Sequence, residues 1–558
     1  MYTNPVTAAE ALARGRFKEW YRLVNDPRYV MQQMKRDPMQ RRNAQATDFA
    51  SRMAILGRPS AEVDGLSKLK RFPMPDLKND WNVDVGPIGV GSGNFPAKFT
   101  FNGGVSTNDI AIFNTSEPGS GTSATLIGLN DLYAAAPAVA FAYNTTTGDT
   151  VATSVAFDLR GDQIAFISTN GGHAYLNVLR FETVAGNGTA YGSPVTLTPS
   201  ASPGAFTNCK TGSSSCLYRV EFTNGDTDTN SSPYYDYSSD KLWVGDNSGN
   251  LHEFTGVFNG SVAESGNPWG TTGATTILAS PVYDGSTYVY VGASNGDMYT
   301  FAVSSGAKYA TSATITGAGL GISDGPLVDV AASKLYVALG YDTSHDSGIA
   351  QLVTPGLGTV SEVYFGTGYA NVPEYVGTFD NTHYLDGGTT GYVTTCNHYG
   401  GDIYFNPIAI SGFVSGTRTL YSAVPGDQWT EVATTGVACS PQTEILNGTK
   451  DYVFLSVATS ANATAGTCTA GSTSACVYGF IIGNATTYNW GGGAPTEGDE
   501  IKPNASGVAS STSGIIIDNT AAGGGSNVYF TTNSTTNGAP CSAPATMGCA
   551  IQVTQSSL

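Results

Sequence analysis

The chain has 558 residues, more than one ordinary hydrophobic core covers, so it forms either several units of about 150 residues or one large domain built from repeats. Charged residues make up 13% of the chain, about half of the usual 25% or so, while glycine and tyrosine are abundant, a composition that helix-rich enzymes seldom show. The formal net charge of -18 argues against nucleic acid as a partner, and no apolar run is long enough to span a bilayer.

The first 79 residues differ from the rest in charge and in pattern. Residues 1–80 contain fifteen Lys or Arg and nine Asp or Glu, whereas the remainder contains eleven and thirty-five. Thr7 and Glu10 form a capping box, which marks the start of a helix, and further helical patterns follow. The sequence therefore predicts a basic arm over 1–79, mostly helical with an extended end, and an acidic body over 80–558.

The arm carries too much apolar surface for a free segment and too little for a core of its own. It either packs on its own body or docks on the body of a neighbouring copy, where a head-to-tail contact that does not close by rotation builds a fibre. Trp20 and Tyr21 are the expected apolar anchors of such a contact. Its expected charged rim consists of Arg14, Arg16, Lys18, Arg22, Arg28, Lys35 and Arg36.

A segment at residues 81–85, Trp-Asn-Val-Asp-Val, has the pattern of a strand. The last repeat of the chain, described below, ends directly after its third strand and lacks an outer one. We therefore expect the segment at 81–85 to supply that outer strand. Joining both ends of the chain in one sheet would remove two free sheet edges, which otherwise invite aggregation.

From residue 96 onwards one phrase recurs: a short strand that ends near Asp, a turn, a strand rich in Val and aromatic residues, and a Gly-containing turn into a third strand. Asp236, Asp284 and Asp329 recur at the same place in successive copies and are therefore expected to cap turns. Units of this length are typical of propeller blades, so the predicted fold is an all-β β-propeller with eight blades, seven being the alternative. Four copies are plain (153–179, 232–254, 280–301, 325–353) and four are weaker (96–131, 377–410, 439–482, 513–555).

A polar loop between the first two plain copies offers a metal-binding pattern, and the loop at 497–500 offers a similar but vaguer one. Asp226, Asp228 and Asn230 place side-chain oxygens at alternate positions, as the start of an EF-hand loop does. Ser231 stands where that loop has Gly, and Tyr237 stands at the place of its last Glu. A solvated turn is therefore the simpler interpretation, and a structural Ca2+ is the only cofactor that the sequence suggests.

The eight cysteines are even in number, and most lie in close pairs. This pattern predicts disulfides in an oxidising compartment, hence an extracellular or cell-surface protein, although no leader is visible at the N-terminus. The connectivity is open, with 209/216, 468/476 and 541/549 as local pairs and 396/439 as the remainder. The cysteines are Cys209, Cys216, Cys396, Cys439, Cys468, Cys476, Cys541 and Cys549.

Two of the repeats resemble those of quinoprotein-type (PQQ-like) β-propellers. They read LWVGDNSGNLHEF at 242–254 and VYVGASNGDMYTF at 289–301. The resemblance covers residues 150–355 well and the rest loosely, and it implies a propeller fold. As an activity it implies a quinone-dependent dehydrogenase, but the adjacent cysteine pair and the repeated Trp motif of that family do not occur in this sequence.

No other catalytic set emerges, because the five histidines are scattered and no nucleophile elbow is present. We therefore expect a non-enzymatic, secreted structural or interaction protein that assembles with itself, as a filament or a surface array, through the arm. The first alternative is a monomeric propeller that binds polysaccharide through Tyr-rich loops. The second is a quinoprotein-like dehydrogenase.

Overall fold

The computed structural model describes most of the body of the chain and little of the predicted arm. The described residues are 77–87, 93–101, 105–183, 186–223, 229, 231–317, 319–386, 388, 390–399, 402–421, 430–433, 439–447, 450–457, 476–484, 496–501, 512–518, 526–532 and 548–555. None of the helices in this part of the chain has the length and apolar character needed to cross a membrane.

The described strands form eight sheets, which we number as blades in chain order; strand β1 (Leu77–Gly86) belongs to the last of them. Blade 1 contains β2 (Ala97–Phe99), β3 (Ile110–Asn114), β4 (Leu126–Asn130), β5 (Ala138–Asn144) and β9 (Val195–Thr196). Blade 2 contains β6 (Ala156–Phe157), β7 (Gln163–Asn170), β8 (His173–Arg180) and β10 (Cys216–Glu221). Blade 3 contains β11 (Tyr234–Asp236), β12 (Lys241–Gly245), β13 (Asn250–Thr255) and β14 (Ala263–Thr271). Blade 4 contains β15 (Val282–Tyr283), β16 (Tyr288–Gly292), β17 (Met298–Ala302) and β18 (Lys308–Thr311).

The second half of the chain continues the pattern. Blade 5 contains β19 (Leu327–Asp329), β20 (Lys334–Leu339), β21 (Asp346–Val353), β22 (Val360–Thr367) and β25 (Arg418–Leu420), and blade 6 contains β23 (Tyr392–Tyr399), β24 (Asp402–Ala409) and β26 (Thr430–Ala433). Blade 7 contains β27 (Thr443–Asn447), β28 (Lys450–Val457), β29 (Cys476–Asn484) and β30 (Thr496–Ile501), and blade 8 contains β31 (Ile516–Asp518), β32 (Asn527–Thr531), β33 (Gly548–Gln555) and β1. The helical elements among the described residues are α1 (Pro203–Cys209), α2 (Asn381–Asp386) and a 3-10 turn (Ile410–Gly412).

Apolar clusters lie between consecutive blades and close them into a ring. Tyr529 of blade 8 packs with Phe113 and Leu129 of blade 1, for example, and comparable clusters join every other neighbouring pair. The predicted all-β propeller is thus confirmed. Seven blades have four or five described strands; blade 6 has three, and a single bridge from Phe379 to Val393 extends its inner edge. The seven blades with four or five strands agree with a ring of seven, which was the alternative prediction, and the three-stranded sheet is an eighth, smaller one.

The first described strand closes the ring. Strand β1 pairs with β33 in antiparallel register, from Leu77 opposite Gln555 to Gly86 opposite Gly548, and thereby forms the outer edge of blade 8. Trp81 anchors it, because its side chain is buried and its Nε1 donates a hydrogen bond to the carbonyl of Leu132 at 3.0 Å. The segment at 81–85 lies within β1, and so does the predicted boundary between residues 79 and 80.

A belt of hydrogen bonds links the starts of the inner strands. The amide of Phe95 donates to Ser154 Oγ at 2.8 Å, that of Ser154 to Ser232 Oγ at 3.1 Å, and that of Ser232 to Ser280 Oγ at 2.9 Å. In blade 5 the equivalent place is Gly325, which has no side chain to accept a bond. The preceding Asp324 continues the belt, since its carboxylate accepts from the amide of Val376 at 3.1 Å.

Burial raises the pKa of Asp324 to about 7, and its bonds from the Gly325 and Val376 amides offset only part of that effect. A carboxyl whose pKa is higher in the folded chain than in the unfolded chain destabilises the fold as the pH rises between the two values. We expect Asp324→Asn to match the parent at pH 4 and to be more stable by a few kcal/mol at pH 8. Urea unfolding at both pH values measures this difference, and parallel pH profiles would contradict it.

Two disulfides have both of their cysteines among the described residues. Cys209 at the end of α1 is joined to Cys216 of β10, with 6.1 Å between the Cα atoms. Cys396 of β23 is joined to Cys439, which precedes β27, so this bond links blade 6 to blade 7. Both are pairs that the spacing suggested. Cys476 and Cys549 are disulfide-bonded as well, and their predicted partners, at positions 468 and 541, lie outside the described residues.

The two described disulfides close loops of different length, so their removal should have different effects. The separation is 43 residues for Cys396 and Cys439 but only 7 for Cys209 and Cys216. A disulfide that closes a longer loop restricts the unfolded chain more and therefore stabilises the fold more. We expect replacement of Cys396 and Cys439 by serine to lower the free energy of unfolding by about 4 kcal/mol. Replacement of Cys209 and Cys216 by serine should lower it by about 2 kcal/mol. Urea titration of the two variants tests this order, and a reversed order would contradict it.

Two blades carry a fifth, parallel strand that the sequence did not predict. Strand β9 pairs with β5 (Tyr143 opposite Val195), and β25 pairs with β22 (Val363 opposite Thr419). Each added strand comes from the connection between the last two strands of the next blade, and each covers an edge that would otherwise be open to another chain. Among the described residues, β14 and β18, the outer strands of blades 3 and 4, are paired on one side only, as are β26, β30 and β1.

Candidate functional site

The turns that follow the inner strands of blades 2 to 5 form a surface that we call the turn face. Asp158, Asp236, Asp284 and Asp329 stand at the start of these turns. Asp284 Oδ1, for example, accepts hydrogen bonds from the amides of Ser286, Thr287 and Tyr288 at 2.7 to 3.1 Å. The predicted capping role is therefore confirmed. Because the serine belt aligns the starts of the inner strands, their ends lie together at the opposite end of the ring.

Most described cations form ion pairs within the body, and one of these pairs, Arg160 with Asp158, lies on the turn face itself. The ion pairs include Lys98 with Asp518, Arg160 with Asp158, Arg180 with Glu182, Arg219 with Asp149, Lys241 with Glu253, and Arg418 with Asp342. By contrast, none of the described Lys or Arg residues lies within ion-pairing distance of Asp236, Asp240 or Asp284. This surface therefore suits a cationic partner.

Tyrosines stand between these carboxylates. The hydroxyl of Tyr235 donates to Asp240 Oδ1 at 2.7 Å, and its ring lies edge-on to that of Tyr237 at 4.8 Å. Burial, together with the charges of Asp236 and Asp284, raises the pKa of Tyr283 to about 12. Its hydroxyl therefore stays protonated at neutral pH and can act as a hydrogen-bond donor.

A cavity of about 370 Å3 lies among the inner strands of blades 8, 1 and 2. Lys98, Asp518 and Tyr237 are its charged and aromatic lining, and Val155 and Ile516 are among its apolar lining. Within it, Lys98 Nζ is 2.7 Å from Asp518 Oδ2, and both side chains are almost fully buried. The cavity can hold a small polar molecule, but its lysine and aspartate already neutralise each other.

Buried histidines form structural networks that the sequence did not reveal. His252 Nε2 lies 3.2 Å from Asp246 Oδ2, and its Nδ1 lies 2.6 Å from Glu264 Oε1. Burial by itself lowers the pKa of His252, but the bonds to Asp246 and Glu264 outweigh it and raise that pKa. Asp246 precedes His252 by six residues across one hairpin, which is the only local signal for this network. These contacts hold the strands of blade 3 together.

The predicted interface and metal residues are not among those that the structure describes. Trp20, Tyr21 and the basic rim of the arm lie within 1–76, and Asp226, Asp228 and Asn230 lie in the gaps around residue 229. Within the described ranges, no group of three or more His, Cys, Asp or Glu side chains is placed to hold a metal ion. The arm contact and the Ca2+ site therefore stay predictions.

Solved structures with a similar fold are β-propellers, although the sequence itself has no detectable relative among curated proteins. No family model matches the sequence, and no curated protein is detectably similar to it. Sqt1 from Chaetomium thermophilum has a TM-score of 0.50 and 10% identity, over 86% of this chain and 98% of that chain. The C-terminal WD40 domain of Sif2 gives 0.42 and 9%, over 86% and 98%, and BamB from Moraxella catarrhalis gives 0.37 and 13%, over 85% and 98%.

Identities this low establish the β-propeller fold alone. The resemblance to quinoprotein-type repeats stays a prediction.

Proposed function

We propose that the protein is an extracellular structural or interaction protein without enzymatic activity, and that it assembles with itself. In this assembly the basic N-terminal segment of one copy docks on the acidic propeller of the next. The observation that carries the proposal is the charge distribution. The described cations of the body mostly form ion pairs within it, whereas Asp236 and Asp284 on the turn face form no ion pair with any described Lys or Arg. Complementary charge of this kind favours encounter and fixes register.

The attachment point of the segment supports the same proposal. Strand β1 is the outermost strand of blade 8, so the chain enters the ring at its rim, at Leu77. A segment attached at the outer rim of the ring reaches a neighbouring molecule more directly than one attached at the centre of the ring. The disulfides agree with an oxidising, extracellular location.

Light scattering with electron microscopy tests the proposal. We expect large assemblies from the full chain, and we expect them to dissociate as the salt concentration rises from about 0.05 M to about 0.5 M, because exposed charges are then screened. A chain that begins at Leu77 keeps the whole of β1 and should remain a folded monomer. Compact monomers from both chains, at every salt concentration, would contradict the proposal.

Polysaccharide binding is the second candidate, and the tyrosines of the turn face favour it. Tyr237 lines the cavity, and Tyr283 presents a protonated hydroxyl beside two carboxylates, a combination that can stack on a sugar ring and hydrogen-bond to its hydroxyls. A glycan array probed with the full chain tests it. Binding that is lost in Tyr237→Ala while the chain stays monomeric would favour this candidate over assembly.

A further inference from the structure

An exposed tyrosine stands at the bare edge of blade 4. In β18, Lys308 pairs with Phe301 and Ala310 pairs with Thr300, so Tyr309 is the extra residue of a β-bulge. Bulges re-aim a side chain, and here the Tyr309 side chain is 55% exposed. Its ring packs against that of Tyr288, with 4.9 Å between the centroids. The bulge therefore presents a pair of aromatic rings at an edge strand that no described strand covers.

A carboxylate stands beside this pair. Asp284 caps the turn that leads into Tyr288, and all of its hydrogen bonds from backbone amides go to Oδ1. None of the cations in the described ranges pairs with either of its oxygens. The nearby Lys308 does not fill this role, because its Nζ donates to the carbonyl of Thr272 in blade 3. We call Tyr288, Tyr309 and Asp284 the tyrosine edge.

In two other blades of this chain, a tyrosine ring and a carboxylate together bind an arginine. In blade 2, the guanidinium of Arg219 lies 3.4 Å from the centre of the Tyr175 ring and 3.0 Å from Asp149 Oδ1. In blade 5, the guanidinium of Arg418 lies 3.4 Å from the centre of the Tyr364 ring and 2.8 Å from Asp342 Oδ2. Arg stacks on aromatic faces and pairs with carboxylates at the same time, which Lys does less well.

In both cases the arginine lies on the outermost strand of its blade. Arg219 belongs to β10, and Arg418 belongs to β25, the added strand that covers the edge of blade 5. In blade 2 the arginine lies on the ordinary fourth strand, whereas in blade 5 it arrives with the added strand that covers the edge. Blade 4 has the tyrosines and the carboxylate, but its described edge lacks both the added strand and the arginine.

We propose that the tyrosine edge of blade 4 receives an arginine from the N-terminal segment of a second copy. This inference rests on the proposed self-assembly and adds the place where the segment docks. The occupant follows from charge and composition, because the body is acidic and Arg14, Arg16, Arg22, Arg28 and Arg36 stand in the one basic segment of the chain. Trp20 and Tyr21, between the second and third of these, supply apolar surface next to the exposed rings.

The test uses the full chain and compares two surfaces. Tyr309→Ser removes the exposed ring, and Thr287→Lys adds a cation beside Asp284 without removing its capping oxygen. Leu320→Ser and Thr343→Lys are the matched controls, since Leu320 is 42% exposed and Thr343 is exposed, both in loops at the opposite end of the blades. We expect each variant at the tyrosine edge to raise the concentration needed for assembly about tenfold, and each control to leave it unchanged. Equal melting temperatures would show that all four variants fold.

A substitution in the segment tests whether arginine itself is recognised. Changing the five arginines to lysine keeps the charge but weakens stacking and bidentate pairing. We expect this variant to assemble about as poorly as Tyr309→Ser, and we expect the two changes together to have little more effect than either alone. Effects that simply add would contradict a contact between these groups.

The outcomes separate this inference from the proposed function. If changing the five arginines to glutamine abolishes assembly while Tyr309→Ser and Thr287→Lys leave it unchanged, the segment docks elsewhere and the inference is wrong, but self-assembly stands. If a chain that begins at Leu77 assembles like the full chain, self-assembly through this segment is itself wrong. If Leu320→Ser weakens assembly and Tyr309→Ser does not, the opposite end of the blades is the docking surface.

Discussion

Trp81→Ala should lower the free energy of unfolding by about 3 to 5 kcal/mol, because it removes a buried indole from the strand that closes the ring. Trp81 is 4% exposed and packs in the cluster between blades 8 and 1, next to Tyr529. The loss opens the one blade whose strands come from both ends of the chain. Urea titration followed by circular dichroism measures the change.

A milder substitution at the same position separates packing from hydrogen bonding. Trp81→Phe keeps most of the apolar surface but leaves the carbonyl of Leu132 without its donor, so we expect a loss of about 1 to 2 kcal/mol. If both variants unfold at the same urea concentration as the parent, β1 does not hold the ring closed.

His252→Ala should also be costly, by about 3 to 5 kcal/mol, because it leaves two buried carboxylates without their common partner. Asp246 and Glu264 flank the imidazole, and all three side chains are almost fully buried. His173→Ala is the matched control: His173 is 2.8 Å from Glu221, but both side chains are about half exposed, so its loss should cost less than about 1 kcal/mol.

The pH dependence of the same variant has a definite sign. The pKa of His252 is higher in the folded chain than in the unfolded chain, so the stability that its charge contributes is fully present below about pH 6.5 and is lost as the pH rises through the folded value. The difference between the parent and His252→Ala should therefore be largest at mildly acidic pH and should shrink under alkaline conditions. A difference that grows with pH would contradict this assignment.

Much of the ring could be predicted because each blade repeats a local pattern. The eight repeats found in the sequence, from 96–131 to 513–555, each fall on one of the eight sheets, since alternating apolar residues and Gly-containing turns determine hairpins locally. The segment at 81–85 was also recognisable, because the last repeat visibly lacks an outer strand. Asp284 and its equivalents were recognisable as turn caps by their regular spacing.

The parts that escaped prediction depend on contacts between blades. Strands β9 and β25 are two and three residues long, too short to carry a period, and they pair with a blade other than the one in which they occur in the sequence. Glu264 of β14 contacts His252 of β13 where the pairing of the two strands shifts at a bulge, so regular strand pairing does not predict the contact. Tyr309 is exposed because of a shift of one residue in the pairing of β17 and β18, and no sequence pattern marks such a shift.

The closure of the ring by β1 also sets the order of events during synthesis. Asp80 bonds to Gln552, 472 residues further along the chain. At roughly 5 to 20 residues per second, a ribosome needs on the order of half a minute to a minute and a half to make that stretch. Throughout this time the strand that carries Trp81 has no partner, while blades 1 to 7 can already fold behind it. The nascent protein is thus an open ring, in which β1 and β32 both lack the strand that joins them, until β33 emerges.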